Sequence, residues 1–164
     1  MLFRSLETSE ANARQLVSRA REHLRSRRAR QKVEPERHRR LLVEFLRACA
    51  DGDAASLMGL LKDDAVLYSD GGGKTQAALN PIYGADKIIR FIQGISKKGL
   101  GEWGAYALEV NGGPGAMVTV DGRPNTLLTI EPDGERIGTI FYVRNPDKMP
   151  GSLSMETPRH AAEI

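Results

Sequence analysis

The sequence predicts an α+β fold in which a curved antiparallel sheet packs on helices, preceded by a basic helical arm. Three observations predict it. Apolar residues recur first at helical spacing and only later at the alternating or continuous spacing of strands, so helices precede the sheet instead of interleaving with it. The strand-like segments are divided by short runs of Asn, Asp, Gly and Pro, the residues of hairpin turns. Charge is split along the chain: residues 1–40 hold twelve Lys or Arg against five Asp or Glu, and residues 41–164 hold twelve against sixteen, so a net of +7 is joined to a net of −4 behind an overall +3. That asymmetry points to a polyanionic partner for the first segment.

The arm is expected to be helical over residues 8–30. Thr8 or Ser9 can cap it, Glu10 suits its first turn, and Ala11, Leu16, Val17, Ala20 and Leu24 make a narrow apolar stripe. Asn12, Arg14, Gln15 and Arg19 occupy other faces. Such side chains can hydrogen-bond base edges in a major groove, with later arginines on phosphates. On composition alone, a charged run of this kind reads first as a solvated helix face. The chain divides into the arm at 1–30, a polar linker at 31–40, a body at 41–149 and a polar tail at 150–164.

In the body, a helix is expected from just after Pro35 to about residue 50, burying Leu41, Leu42, Phe45, Leu46 and Cys49 and stopping at Asp51-Gly52-Asp53. A second runs over 54–62 with Leu57, Leu60 and Leu61 inward, then a strand over 65–68. A third helix, 85–98, carries Ile88, Ile89, Phe91, Ile92 and Ile95. Strands at 106–110, 115–120, 125–130 and 136–143 complete a four-stranded meander.

Several function classes are demoted by composition. The single cysteine, Cys49, excludes a disulfide framework and lies in an apolar run, where it acts as a small hydrophobe. His23, His38 and His160 fall in the arm, linker and tail, away from the body, so neither a metal site nor a histidine triad is expected, and no cofactor is implied. No stretch approaches the roughly 18 apolar residues of a membrane span, and the chain start lacks a signal peptide's apolar run. A cytoplasmic protein without a membrane partner is the expectation.

Three motifs carry a family resemblance. The segment Thr8-Ser9-Glu10-Ala11-Asn12-Ala13-Arg14-Gln15-Leu16-Val17-Ser18-Arg19-Ala20-Arg21-Glu22-His23-Leu24-Arg25 resembles the second helix of the helix-turn-helix in region four of extracytoplasmic-function sigma factors. Asp70-Gly71-Gly72-Gly73-Lys74 and Asn145-Pro146-Asp147-Lys148-Met149 resemble the DGGGK and NPDKL signatures of those sigma factors that carry a SnoaL-like extension, with Met149 in place of leucine. The order of elements in the body is similar to that of the SnoaL-like branch of the nuclear transport factor 2-like superfamily, a cone-shaped sheet enclosing a pocket. The resemblance implies that the arm reads promoter DNA through Asn12, Arg14, Gln15 and Arg19. It also implies that the body regulates the sigma regions by contact through Asp70, Gly71, Gly72, Gly73 and Lys74 and through Asn145, Pro146, Asp147 and Lys148. The family's first helix-turn-helix helix and its region two are not found in this sequence, so promoter DNA and RNA polymerase are expected as partners only when those regions are supplied. The chain is read as a truncated remnant or one with a misplaced start.

The residues themselves allow other chemistry. Three consecutive glycines beside Lys74 can make a nest of N–H groups for an anion or a partner's carboxylate, or simply a tight turn. The spacing is not that of a phosphate-binding P-loop. A SnoaL-like enzyme, a cyclase, isomerase or hydratase, would need a carboxylate of raised pKa in an apolar cavity. Asp70, Glu109 and Glu131 are the acids available, with Tyr68, Tyr106, Tyr142 and Trp103 as lining, and none stands out. A small-molecule ligand in the cone and a homodimer through the open face of the sheet are further expectations.

Overall fold

The computed structural model describes residues 34–96 and 101–149. The basic arm with Asn12, Arg14, Gln15 and Arg19, and the tail from residue 150, lie outside the described residues.

Helix α1, Pro35–Asp51, opens with proline in its first turn, where a missing N–H is harmless and φ is already helical. It starts at Pro35, where the helix is expected, and so takes in residues 35–40, which the domain division places in the linker. Tertiary contacts hold that turn down: His38 Nε2 donates to the Ile130 carbonyl at 2.8 Å, and Arg37 pairs with Glu135. Leu41, Leu42, Phe45, Leu46 and Ala48 are buried along one face. Gly52 ends the helix in the left-handed conformation, φ 66°, its N–H returned to the Ala48 and Cys49 carbonyls.

Helix α2, Ala54–Leu60, is capped by Asp53, whose carboxylate accepts the N–H groups of Ala55 at 3.0 Å and Ser56 at 3.1 Å. It stops short of the expected residue 62 because Leu61, fully buried, already begins strand β1, Leu61–Asp70. A short strand β2, Ile82–Tyr83, leads into α3, Ala85–Ser96. Then come β3, Trp103–Val110, β4, Gly113–Val120, β5, Arg123–Asp133, and β6, Arg136–Val143, followed by a 3-10 turn over Pro146–Lys148.

The six strands form one sheet in the order β2-β1-β6-β5-β4-β3. From β3 to β6 it is the expected meander, closed by two-residue hairpins at Asn111-Gly112 and Asp121-Gly122 with positive φ at all four positions. The sheet is mixed, however, and not wholly antiparallel: β1 lies parallel to β6, with Val66 opposite Thr139 and Asp70 opposite Val143. Bulges at Val118/Thr119 and Glu131/Pro132 bend the meander. The helices pack on one face of this curved sheet, and Phe45, Leu57, Leu67, Ile88, Leu128 and Ile140 form the core between them. Among the described residues no helix is long and apolar enough to cross a membrane.

Candidate functional site

Because β1 and β6 are parallel neighbours, their C-terminal ends emerge side by side, and each carries one of the two signature loops. Each loop is first organised locally. Asp70 Oδ1 accepts the Gly72 N–H at 2.8 Å, and the Gly71 carbonyl accepts the N–H groups of Lys74 and Thr75, both at 3.0 Å. In the second loop, Asn145 Oδ1 accepts the Asp147 N–H at 3.0 Å and caps the 3-10 turn.

The loops then clasp each other crosswise. Lys148 Nζ reaches Asp70 Oδ2 at 2.7 Å, while Lys74 Nζ sits 2.8 and 2.7 Å from the two carboxylate oxygens of Asp147. The Arg144 N–H donates to the Asp70 carbonyl at 2.7 Å, tying the roots together. Close approach explains the glycines: a Cβ on Gly72 would lie 2.3 Å from Asn145 Cγ, and one on Gly71 would lie 2.0 Å from the Thr75 carbonyl oxygen. The hydrogen bond from Lys148, then that from the Gly72 N–H, holds the Asp70 carboxyl below the usual carboxylate range. Lys74 has a carboxylate, that of Asp147, from its own chain. The four charged side chains remain accessible at the surface, with Lys74, Asp147 and Lys148 more than half exposed.

A separate cavity of about 250 Å³ lies between α1, α3 and the meander, walled by Leu46, Cys49, Ile92, Trp103, Val118, Leu128 and Tyr142, with Asn125, Thr126 and Arg144 as its polar edge. Tyr142 shares this wall with Cys49, and its ring tilts against Phe91 with centroids 6.4 Å apart. Burial pushes the Cys49 thiol up to about 12 and the Tyr142 phenol well above its ordinary value, so both stay protonated.

None of the acids weighed for catalysis lines this cavity. Asp70 is engaged in the clasp with a lowered, not raised, pKa. Glu109 is exposed on β3, and Tyr68 stacks on Phe141 at 5.6 Å, on the sheet face opposite Leu67 and Ile140 of the core. Of the expected lining, Trp103 and Tyr142 are in place, whereas Tyr68 and Tyr106 are not. Among the described residues no group of His, Cys, Asp and Glu could hold a metal ion. Cys49, expected as a small hydrophobe, lines the cavity, and so do Asn125, Thr126 and Arg144, which no motif marks; Arg144, a cation directly after an apolar strand, is the one visible signal.

No family model matches the chain. The chain is 36% identical over 159 residues to the ECF RNA polymerase sigma factor SigJ of Mycobacterium tuberculosis, covering 90% of this chain and 50% of the relative. It thus spans about half the length of the curated relative it matches. The crystal structure of Mycobacterium tuberculosis SigJ superposes with a TM-score of 0.62 at 29% identity, over 90% of this chain and 53% of that one. A de novo designed protein with a curved β-sheet matches at 0.53 and 16% identity over 70% of this chain and 90% of its own, a likeness of fold alone. By sequence over nine-tenths of its length and by fold, the chain is similar to about half of an extracytoplasmic-function sigma factor.

Proposed function

We propose that this chain is the regulatory C-terminal portion of a sigma factor, in which the SnoaL-like body controls promoter-directed initiation by RNA polymerase. The identity to SigJ over nine-tenths of the chain carries this reading. The arm, through Asn12, Arg14, Gln15 and Arg19, contacts promoter DNA, and it does so usefully only beside the remaining sigma regions, since phosphate contacts alone bind weakly and without sequence preference. The protein works in the cytoplasm, where transcription takes place. The clasp is the contact surface, because it offers paired, accessible charges on a rigid two-strand base.

The enzyme reading is not carried further, since no acid considered for it reaches the cavity. Self-association through the outward sheet face, where Tyr68, Leu127, Phe141 and Val143 are half-buried, is read by light scattering over a concentration series.

The deciding experiment is transcription in vitro by RNA polymerase loaded with a sigma factor whose C-terminal half is this chain. Lys74→Ala or Asp147→Ala changes transcript yield, and the double exchange Lys74→Asp with Asp147→Lys restores it. Unchanged yield after deletion of residues 34–149 overturns the proposal.

A further inference from the structure

The cavity in the cone combines apolar walls with one cation. Among its described lining residues Arg144 alone is charged, and no carboxylate faces it there. Cys49 and Tyr142 in the same wall stay neutral, so the wall supplies no anion of its own. Arg144 is half satisfied: Nη1 donates to the Gln76 carbonyl at 2.8 Å, whereas Nε is buried without a hydrogen-bond partner. A buried guanidinium N–H left unpaired is costly, and a planar fork of this kind is matched best by a carboxylate. Asn125 and Thr126 add polar groups at the same edge, while Leu46, Ile92, Val118 and Leu128 offer only hydrocarbon.

We propose that this cavity binds a small apolar carboxylic acid as its anion, with the carboxylate on Arg144 and the hydrocarbon tail among Leu46, Ile92, Val118 and Leu128. A volume of about 250 Å³ suits a medium-length chain or a single ring with a short acid arm. Occupancy acts on the clasp as well, since Arg144 immediately precedes Asn145 and its backbone N–H holds the Asp70 carbonyl. The site concerns the body alone and does not depend on the sigma-factor reading.

The chain carries its own reporter, for its one tryptophan, Trp103, lines the cavity. The 164-residue chain is titrated with octanoate and, separately, with octan-1-ol, following Trp103 emission and heat of binding. Octanoate is expected to bind saturably and at least about tenfold more tightly than the alcohol, the worth of a charge-assisted hydrogen bond. Arg144→Met brings octanoate down to the affinity of the alcohol, Arg144→Lys keeps part of the preference, and Val118→Phe, which fills the cavity, removes binding of both. Equal affinity of acid and alcohol for the unaltered chain overturns the proposal, as does octanoate binding that survives Val118→Phe, or no saturable binding of octanoate at all.

Discussion

Lys148 reaches Asp70 at 2.7 Å across a sequence separation of 78 residues, and the two meet because the strands that carry their loops run parallel and end together. The same geometry brings Lys74 to Asp147, 73 residues apart, so that acid and base alternate between the loops. Two motifs that read as independent partner contacts are therefore halves of one object. On the proposed reading, the sigma regions would meet a preformed, charge-balanced surface here.

The clasp should respond to acid in one direction. Asp70 titrates below its ordinary 3.8 in the folded chain, so its contribution to stability is complete above that value and is lost as pH falls through the lower folded value. Thermal melts of the natural chain and Asp70→Asn should differ by a constant amount near neutrality, with the gap closing below about pH 4. A gap that persists in acid would mean the carboxylate's charge is not what Lys148 holds.

The glycines of the first loop are not equivalent. Gly72, at φ 60° with Asn145 in the space of its absent Cβ, should lose at least about 1 kcal/mol on change to Ala, from backbone strain and from displacement of the second loop. Gly73, at φ 70° with nothing near, should accept Asn at little cost, because Asn tolerates the left-handed region. Urea unfolding of Gly72→Ala and Gly73→Asn decides it; equal losses would show that only φ matters.

Cys49 should be a slow thiol. Raised from 9.0 to about 12 by burial, it carries far less thiolate at mildly alkaline pH than an exposed cysteine. Labelling by a disulfide reagent is expected to be on the order of a hundredfold slower in the folded chain than in denaturant. A filled cavity slows it further, because Cys49 is part of the wall.

His38 should make the body acid-sensitive near neutrality. Burial lowers its pKa from 6.5, against the raising influence of the Ile130 carbonyl and Glu131. The unfolded chain then takes up a proton first, so stability falls as pH drops below 6.5 until the folded value is passed. His38→Gln, able to keep a bond to the Ile130 carbonyl, should flatten that slope in denaturant titrations at successive pH values.

The sequence by itself determined the order of elements and most of their cores. Helical spacing of Leu41, Leu42, Phe45 and Leu46 marked α1, Asp51-Gly52-Asp53 its end, and Asn-Gly and Asp-Gly pairs two hairpins of the meander. It also displayed both signature motifs, which require only local chemistry to be seen. Strands run longer than the apolar pattern indicates where polar or ring-locked residues interrupt it. Lys62, Asp63 and Asp64 lie within β1 although its pairing with β6 is interrupted between Leu61 and Val66, with Lys62 paired to Asp133 and Asp63 to Arg136, and Pro132 stays within β5 at a bulge. Tertiary structure alone decided the parallel pairing of β1 with β6, the clasp that follows from it, and the meeting of Cys49, Tyr142 and Arg144 around one cavity. These contacts join residues far apart in the chain, and periodicity, capping and turn chemistry act over only a few residues, so no local pattern could record them.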